Sequence, residues 1–231
     1  LTLGALLLTA CVSLQAQKPM KAPAGGKAIS DHLIGIFFED ISSSADGGLN
    51  AELLQNGSFE FNANEHDGWG AATAWKIVRP GHSLGMTEVK QQEPIHPNNP
   101  NYMRLTAERT RHFPDFKGWA GYGLQNDGFD GITVKAGQKY DFSFFYRCPK
   151  AKMMVRVALV KPGGWGEDPE LLADDTLVVG NSTWANMGTT LTPKADCDKA
   201  ALQLLLVSDG VLDVDMLSLL PQDTYHGHGL R

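Results

Sequence analysis

A mainly β fold, a jelly-roll β-sandwich over residues 56–220, is what this sequence predicts, and three observations lead there. Short segments in this span alternate apolar and polar residues, Gly, Pro and Asn separate them at strand-like spacing, and no long amphipathic helix interrupts the series. Tyr140-Asp-Phe-Ser-Phe-Phe-Tyr-Arg147 sets Phe142, Phe144 and Tyr146 on one face of a strand. Met153 to Lys161 does the same with Val155, Val157 and Leu159. Ala200 to Val207 and Val211 to Leu219 supply two more strands, the second with Asp213 and Asp215 on one side. Such a run, about 160 residues long, has the size and punctuation of a two-sheet sandwich.

Composition fits a folded domain and narrows its partners. The 231 residues are 42% hydrophobic and 20% charged, enough apolar side chain for a core. Asp and Glu outnumber Lys and Arg by 26 to 20 and no basic run forms a patch, so nucleic acid is not an expected partner and a neutral ligand is. There is no Gly-rich phosphate loop and no nucleophilic-serine elbow. Cys148 and Cys197 lack Cys-x-x-Cys spacing, which argues against zinc. A disulfide between them and two separate buried thiols both remain open readings.

The first residues have the character of an export signal. Leu1 to Ala10 is apolar, and small and polar residues continue to Ala16, so residues 1–17 are expected to be a signal peptide. Leu8-Thr-Ala-Cys11 offers a lipobox with a lipid anchor at Cys11, and Ser13-Leu-Gln-Ala16 an ordinary cleavage site. No Met or basic stretch precedes the apolar run, which suggests a start that is already truncated. The expected location is periplasmic, cell-surface or extracellular in a bacterium. Residues 18–28, rich in Pro, Gly, Ala and Lys, read as a flexible leader. Residues 29–55 open with an apolar run from Ile29 to Phe38, the pattern of a strand covered on both faces, and end in Leu49-Asn-Ala-Glu-Leu-Leu-Gln, which has a short helical look. That first strand has no sheet to join in the chain, and residues 221–231 stop without a terminating signal, so a continuation beyond Arg231 is expected.

Two segments carry a family resemblance. His32-Leu-Ile-Gly-Ile-Phe-Phe-Glu-Asp-Ile41 with Asp46-Gly-Gly-Leu-Asn-Ala-Glu-Leu-Leu-Gln-Asn-Gly-Ser-Phe-Glu60 resembles the start of the α-L-arabinofuranosidases of glycoside hydrolase family 51. Asp213 to Arg231 resembles the point where such enzymes re-enter their catalytic barrel after an inserted module. Between these flanks, Asn56-Gly-Ser-Phe-Glu60 followed by Trp69, and the strand Val214 to Leu219, resemble carbohydrate-binding modules of the family 4/9 type. The resemblance implies a sandwich inserted after the first strand of an incomplete (β/α)8 barrel, re-entered at residues 221–231. It implies retaining hydrolysis of terminal arabinofuranosyl residues of plant polysaccharides by two carboxylates about 5 Å apart. Both catalytic glutamates would lie beyond Arg231, so no catalytic residue is expected within the chain and the chain alone is expected to be inactive. The alternative is a free-standing carbohydrate-binding surface or secreted protein.

The resemblance and the residues together select the candidate site. Glu39 would close the first barrel strand at its C-terminal end and hold the sugar by its hydroxyls, a positioning role; without the resemblance it reads as a solvated strand-end acid. Asp40 stands where many members of the family have His, and takes no role. Trp119, Tyr122 and Trp165, flanked by glycines, are candidate stacking platforms for an arabinose-containing polysaccharide or oligosaccharide; the competing reading has them packing the core. Trp69, Trp75 and Trp184 read as structural. Glu60 and Asp215 are candidate ligands of a structural calcium, against the reading of a solvated or hydrogen-bonded acid pair. No cofactor is expected for catalysis. His226 and His228 read as loop residues of the barrel connection, not as a metal pair.

Overall fold

The computed structural model describes residues 45–110, 119–164, 167–227 and 229–230, all in the larger of the chain's two units, Asp40–Arg231. The expected barrel strand from Ile29 to Phe38, the signal peptide and the leader lie outside the described residues. Within them the chain forms eleven strands: β1 (Trp75–Val78), β2 (Leu84–Lys90), β3 (Tyr102–Arg109), β4 (Tyr122–Asn126), β5 (Ile132–Val134), β6 (Tyr140–Arg147), β7 (Met153–Lys161), β8 (Glu170–Val179), β9 (Ala185–Leu191), β10 (Cys197–Leu206) and β11 (Gly210–Pro221). Every pairing is antiparallel. One sheet runs β1-β4-β10-β7-β8, with β5 also on β10; the other runs β2-β3-β11-β6-β9. The expected sandwich is therefore present.

Period-two alternation sends the same side chains inward that the sequence selected. Phe142, Phe144 and Tyr146 from β6 meet Val155, Val157 and Leu159 from β7 in one core, joined by Leu202, Leu204 and Leu206 of β10 and Leu212, Val214 and Leu219 of β11. Burying a side chain of this size fully is worth about 1.5–3 kcal/mol, so these apolar groups dominate the fold's stability. Between Asp215 and Ser218 the β6–β11 register shifts, and Met216 takes a positive φ of 50°. This bulge lets both Val214 and Leu217 face the core across an odd spacing.

The Asn56-Gly-Ser-Phe-Glu60 segment locks onto that bulge. The Gly57 carbonyl accepts the Leu217 N–H at 2.9 Å, and a Cβ at position 57 would fall 2.0 Å from the Leu217 carbonyl oxygen, so only glycine permits the approach. The Asn56 side chain donates to the Ala71 and Thr73 carbonyls and accepts from the Phe61 N–H, while its own carbonyl receives the Trp75 indole at 2.8 Å. Phe59 is buried in the core. The motif is thus a hub that ties the first loop to the last strand.

The short helix expected near Leu49–Gln55 is not formed. Ala45–Leu49 is a single π-helical turn, and residues 50–53 then run alongside β11 and the turn beyond it. Ala51 donates to the Gly229 carbonyl, Leu53 donates to the Leu219 carbonyl, and Asn50 bridges Leu230. The Glu52 carboxylate accepts from the Leu53, Leu54 and Leu219 N–H groups and the Ser218 hydroxyl, taking amides that a helix would have used internally. Burial raises the Glu52 pKa, and those hydrogen bonds oppose the rise. The incoming and outgoing segments of the sandwich therefore leave it side by side.

Candidate functional site

The outer faces of the two sheets differ. On the five-stranded sheet, the outward side of β11 is covered by the 91–101 loop. Asp213 has no exposed surface and receives four hydrogen bonds, from Arg104 Nε and Nη2 at 2.6 and 2.9 Å and from Arg147 Nε and Nη2 at 3.0 and 2.8 Å. The buried Asp213 carboxylate in turn raises the Arg104 pKa. The Arg147 guanidinium lies 4.9 Å from the Trp184 ring centre and 5.3 Å from that of Tyr102, and reaches the Glu93 carbonyl at 3.2 Å. Trp184 and Tyr102 meanwhile donate to the Glu93 and Gln92 carbonyls. These contacts pin the loop down and leave this part of the sheet closed.

Glu60 and Asp215 lie near enough for the charge of Glu60 to act on Asp215. Glu60 accepts the Asn101 backbone N–H and side-chain amide at 2.7 and 2.6 Å, and Asp215, without exposed surface, accepts the Asn99 amide at 2.8 Å and the Met216 N–H at 2.7 Å. Burial pushes the Asp215 pKa up to about 7, and the charge of Glu60 adds to the rise against the two hydrogen bonds. Two neighbouring carboxylates that repel each other suit a hard cation, although the groups now bonded to them are amide and backbone N–H donors. Among the described residues there is no group of three or more His, Cys, Asp or Glu placed to hold a metal, so any cation here would draw on carbonyl or amide oxygens as well.

The outer face of the six-stranded sheet is mixed: Gln125, Gln203, Ala158 and Leu205 along its middle are buried, while Lys76, Asp174 and Thr176 toward its edges are exposed. Residues paired across antiparallel strands share a side, so one outward row runs Lys76, Gln125, Gln203, Ala158 and Asp174, and the next Val78, Gly123, Leu205, Arg156 and Thr176. Trp119 lies across this floor, packed with Ala158, Val160, Ala201 and Leu171. Its indole N–H donates to Gln203 at 2.8 Å, and the Arg156 guanidinium stands 4.9 Å from its ring centre. From Gln203 a ladder of hydrogen bonds continues to Gln125 at 2.8 Å and on to Asp127 at 2.7 Å, which also pairs with Lys76. At the other end Arg156 pairs with Asp174 at 3.2 Å. A recess of about 300 Å³ adjoins the ladder, lined by Asp127, Asp130, Pro162 and Lys199 among others. An aromatic ring set among amides and paired charges, with no net local charge, is a surface suited to a neutral polyhydroxylated ligand.

The remaining residues selected from the sequence occupy varied positions. Trp119 belongs to this face, although as a half-buried ring held at its edge, not as a free loop aromatic. Tyr122 does not belong to it: the ring has no exposed surface, sits in the core beside Leu124, and its hydroxyl bonds Thr87 at 2.8 Å. The glycines on either side allow close backbone approach, since a Cβ at position 123 would lie 1.9 Å from the Leu204 oxygen; they do not expose the tyrosine. Glu39 and Trp165 lie outside the described residues. Trp75 is in the core, as expected, Trp69 stacks on Phe61 at 4.2 Å and near His66 at 5.0 Å, and Trp184 holds Arg147. Cys148 and Cys197 are separate free thiols, the buried Cys148 pushed up to about 11, so the disulfide reading is not realised. Exposed His226 sits in a turn at Tyr225–Gly227, and His228 is outside the described residues. Gln125, Gln203, Arg156 and Asp174 were not selected from the sequence. Their signal was present as polar residues at outward positions of otherwise apolar strands, but only the pairing shows that they meet.

The fold and this face define the chain, in its described part, as an antiparallel jelly-roll β-sandwich. The comparison with known proteins is more particular: the chain is similar in sequence to a portion of several α-L-arabinofuranosidases. It is 33% identical over 211 residues to the extracellular exo-α-L-arabinofuranosidase of Streptomyces chartreusis, across 90% of this chain and 22% of that one. It is 29% identical over 214 residues to α-L-arabinofuranosidase 1 of Arabidopsis thaliana, across 90% and 29% of the two chains. Among solved structures, an arabinose-bound family 51 α-L-arabinofuranosidase superposes with a TM-score of 0.65 at 26% identity, covering 84% of this chain and 30% of that one. No protein-family profile matches the chain. The chain thus spans less than a third of the length of these relatives.

Proposed function

We propose that this chain is the N-terminal part of an exported α-L-arabinofuranosidase, with its sandwich inserted into the catalytic barrel and serving as a glycan-binding module. The observation that carries the reading is the alignment with arabinofuranosidases over nine tenths of the chain, an extent that takes in most of the sandwich. The side-by-side course of residues 50–53 and 219–230 supports an insertion, because a domain set into another chain must enter and leave at neighbouring points. In this reading Glu39 positions the furanose in the barrel and the two carboxylates of the retaining mechanism lie beyond Arg231. The sandwich takes arabinose-containing polysaccharide on the outer face of the six-stranded sheet, with Trp119 stacking against the sugar and the Gln203–Gln125 ladder meeting hydroxyls. Residues 1–17 direct export, by ordinary cleavage or with a lipid anchor at Cys11.

The purified chain should release no nitrophenol from an aryl arabinofuranoside, while it is retarded by arabinoxylan in an affinity gel. Measurable turnover would place catalytic carboxylates within these residues and refute the assignment. Trp119→Ala is expected to weaken the retardation about tenfold, the loss of one stacking contact and its hydrogen bond.

Glu60 and Asp215 would hold a structural calcium, tying the first loop to the last strand. The folded pKa of Asp215, near 7, is above its ordinary 3.8. Its stabilising contribution is therefore complete below the ordinary value and is lost as the pH rises through 7. In EDTA, the melting temperature of Asp215→Asn relative to the native chain should rise between about pH 5 and about pH 8. Calcium favours the ionised carboxylate, so millimolar calcium should reverse that trend and raise the melting temperature of the native chain alone. Identical melting curves with calcium and EDTA at both pH values would argue against the site.

A further inference from the structure

The segments that enter and leave the sandwich carry an apolar patch of their own. Leu49, Tyr225 and Leu230 are all exposed, Tyr225 at 63%. Backbone contacts hold them together: the Tyr225 N–H donates to the Leu230 carbonyl at 2.8 Å, Leu230 bridges Asn50, and Leu49 directly precedes Asn50. A cleft of about 270 Å³ opens on the same two segments, lined by Leu53 of the entering one, Pro221 and Asp223 of the leaving one, and Phe129, Ile132 and Tyr140. Its walls are fixed, since the Gln222 N–H donates to the Lys139 carbonyl and the Tyr140 hydroxyl accepts the Lys135 N–H, both at 2.9 Å. Single exposed apolar side chains are ordinary, whereas a contiguous group with a preformed cleft marks a contact surface.

We infer that this root of the sandwich is a rigid interface, docked against the part of the enzyme that continues beyond Arg231; this rests on the insertion proposed above. Two features select that occupant over a second copy of the chain. The patch lies where the chain enters and leaves the sandwich, so the host polypeptide starts beside it and needs no diffusional encounter. The chain also matches less than a third of the length of its relatives, so a much larger body is attached at this point. Rigidity follows from the double crossing. A single linker lets domains swing, but here two segments cross together, joined by the Asn50–Leu230 bridge and by the Ala51 N–H donating to the Gly229 carbonyl at 2.8 Å. Apolar side chains of the host cover Leu49, Tyr225 and Leu230 and one enters the cleft, so the sandwich keeps one orientation on the enzyme.

Hydrogen exchange and calorimetry on the chain and on the whole enzyme separate the outcomes. Backbone amides of residues 129–138 and 222–227 should exchange about tenfold more slowly in the whole enzyme than in the chain. Tyr225→Ser combined with Leu230→Ser should leave the melting temperature of the chain unchanged, because both side chains face solvent there. In the whole enzyme the same pair should split a single unfolding transition into two. Equal exchange in chain and enzyme, or two transitions already in the native enzyme, would mean that the sandwich swings freely, which overturns the inference and leaves the insertion reading standing. Protection of these residues in a dimer of the chain, detected by light scattering, would assign the patch to a second copy and overturn it as well. Coding sequence past Arg231 that does not continue into a barrel removes the insertion reading and the inference with it.

Discussion

Replacing Asp213 with alanine is expected to cost the sandwich about 3–5 kcal/mol of unfolding free energy, a large share of the roughly 5–15 kcal/mol typical of a folded domain. Asp213 is wholly enclosed, and its two oxygens receive all four donors from Arg104 and Arg147. Taking it away leaves two guanidinium groups facing one another without a counter-charge, and Arg147 has a side chain only 9% exposed. Glu93 cannot replace it, because its carboxylate is 88% exposed and meets Arg147 at 3.3 Å. Urea denaturation followed by tryptophan fluorescence reads the loss. The isosteric Asp213→Asn should fall in between, since its oxygen still accepts while its amide opposes the donors. A second change, Arg147→Met, should restore part of the stability, because it removes the charge left unpaired. A loss below about 1 kcal/mol for Asp213→Ala would mean that the cluster is solvated and the 91–101 loop is not held as described.

Gly57→Ala is the second large effect, at about 2–3 kcal/mol. A methyl group there would meet the Leu217 carbonyl at 2.0 Å, and backbone cannot yield as a side-chain end can. Leu217 sits within the β11 bulge, so displacement would strain the hydrogen bond from Leu217 N–H to Gly57 and move Phe59 out of the core. Glu60, three residues on, would separate from Asn101 and Asp215. The change should therefore lower the melting temperature and also abolish any calcium-dependent rise. An alanine variant with native stability and an unchanged calcium response would show that the loop reaches β11 by another route.

Much of the fold could be read from residues alone, and the failures have physical causes. Phe142, Phe144 and Tyr146 alternate without interruption, so one strand and its buried face emerge from periodicity. Asp213 and Asp215 were placed on one side of β11 by the same reasoning, and both are enclosed there. The segment around Tyr122 misled because glycine signals a turn in most contexts, whereas here it permits β4 to lie against β10. Leu49–Gln55 has good helix formers, but tertiary pairing with β11 and the Glu52 carboxylate claimed its amides. The polar face was illegible for a different reason. Gln125, Gln203, Arg156 and Asp174 are far apart in the sequence, and only the register of four strands brings them into adjacent rows.

The most direct measurement is to track the five tryptophan indole N–H resonances while arabinoxylan-derived oligosaccharides are titrated into the chain, with Trp119→Phe used to assign the one in question. If the outer face of the six-stranded sheet takes the glycan, the Trp119 signal moves furthest, since its N–H is bonded to Gln203 in the middle of the ladder. If that signal stays fixed at oligosaccharide concentrations that saturate other resonances, the ligand binds elsewhere and this face is not the binding site.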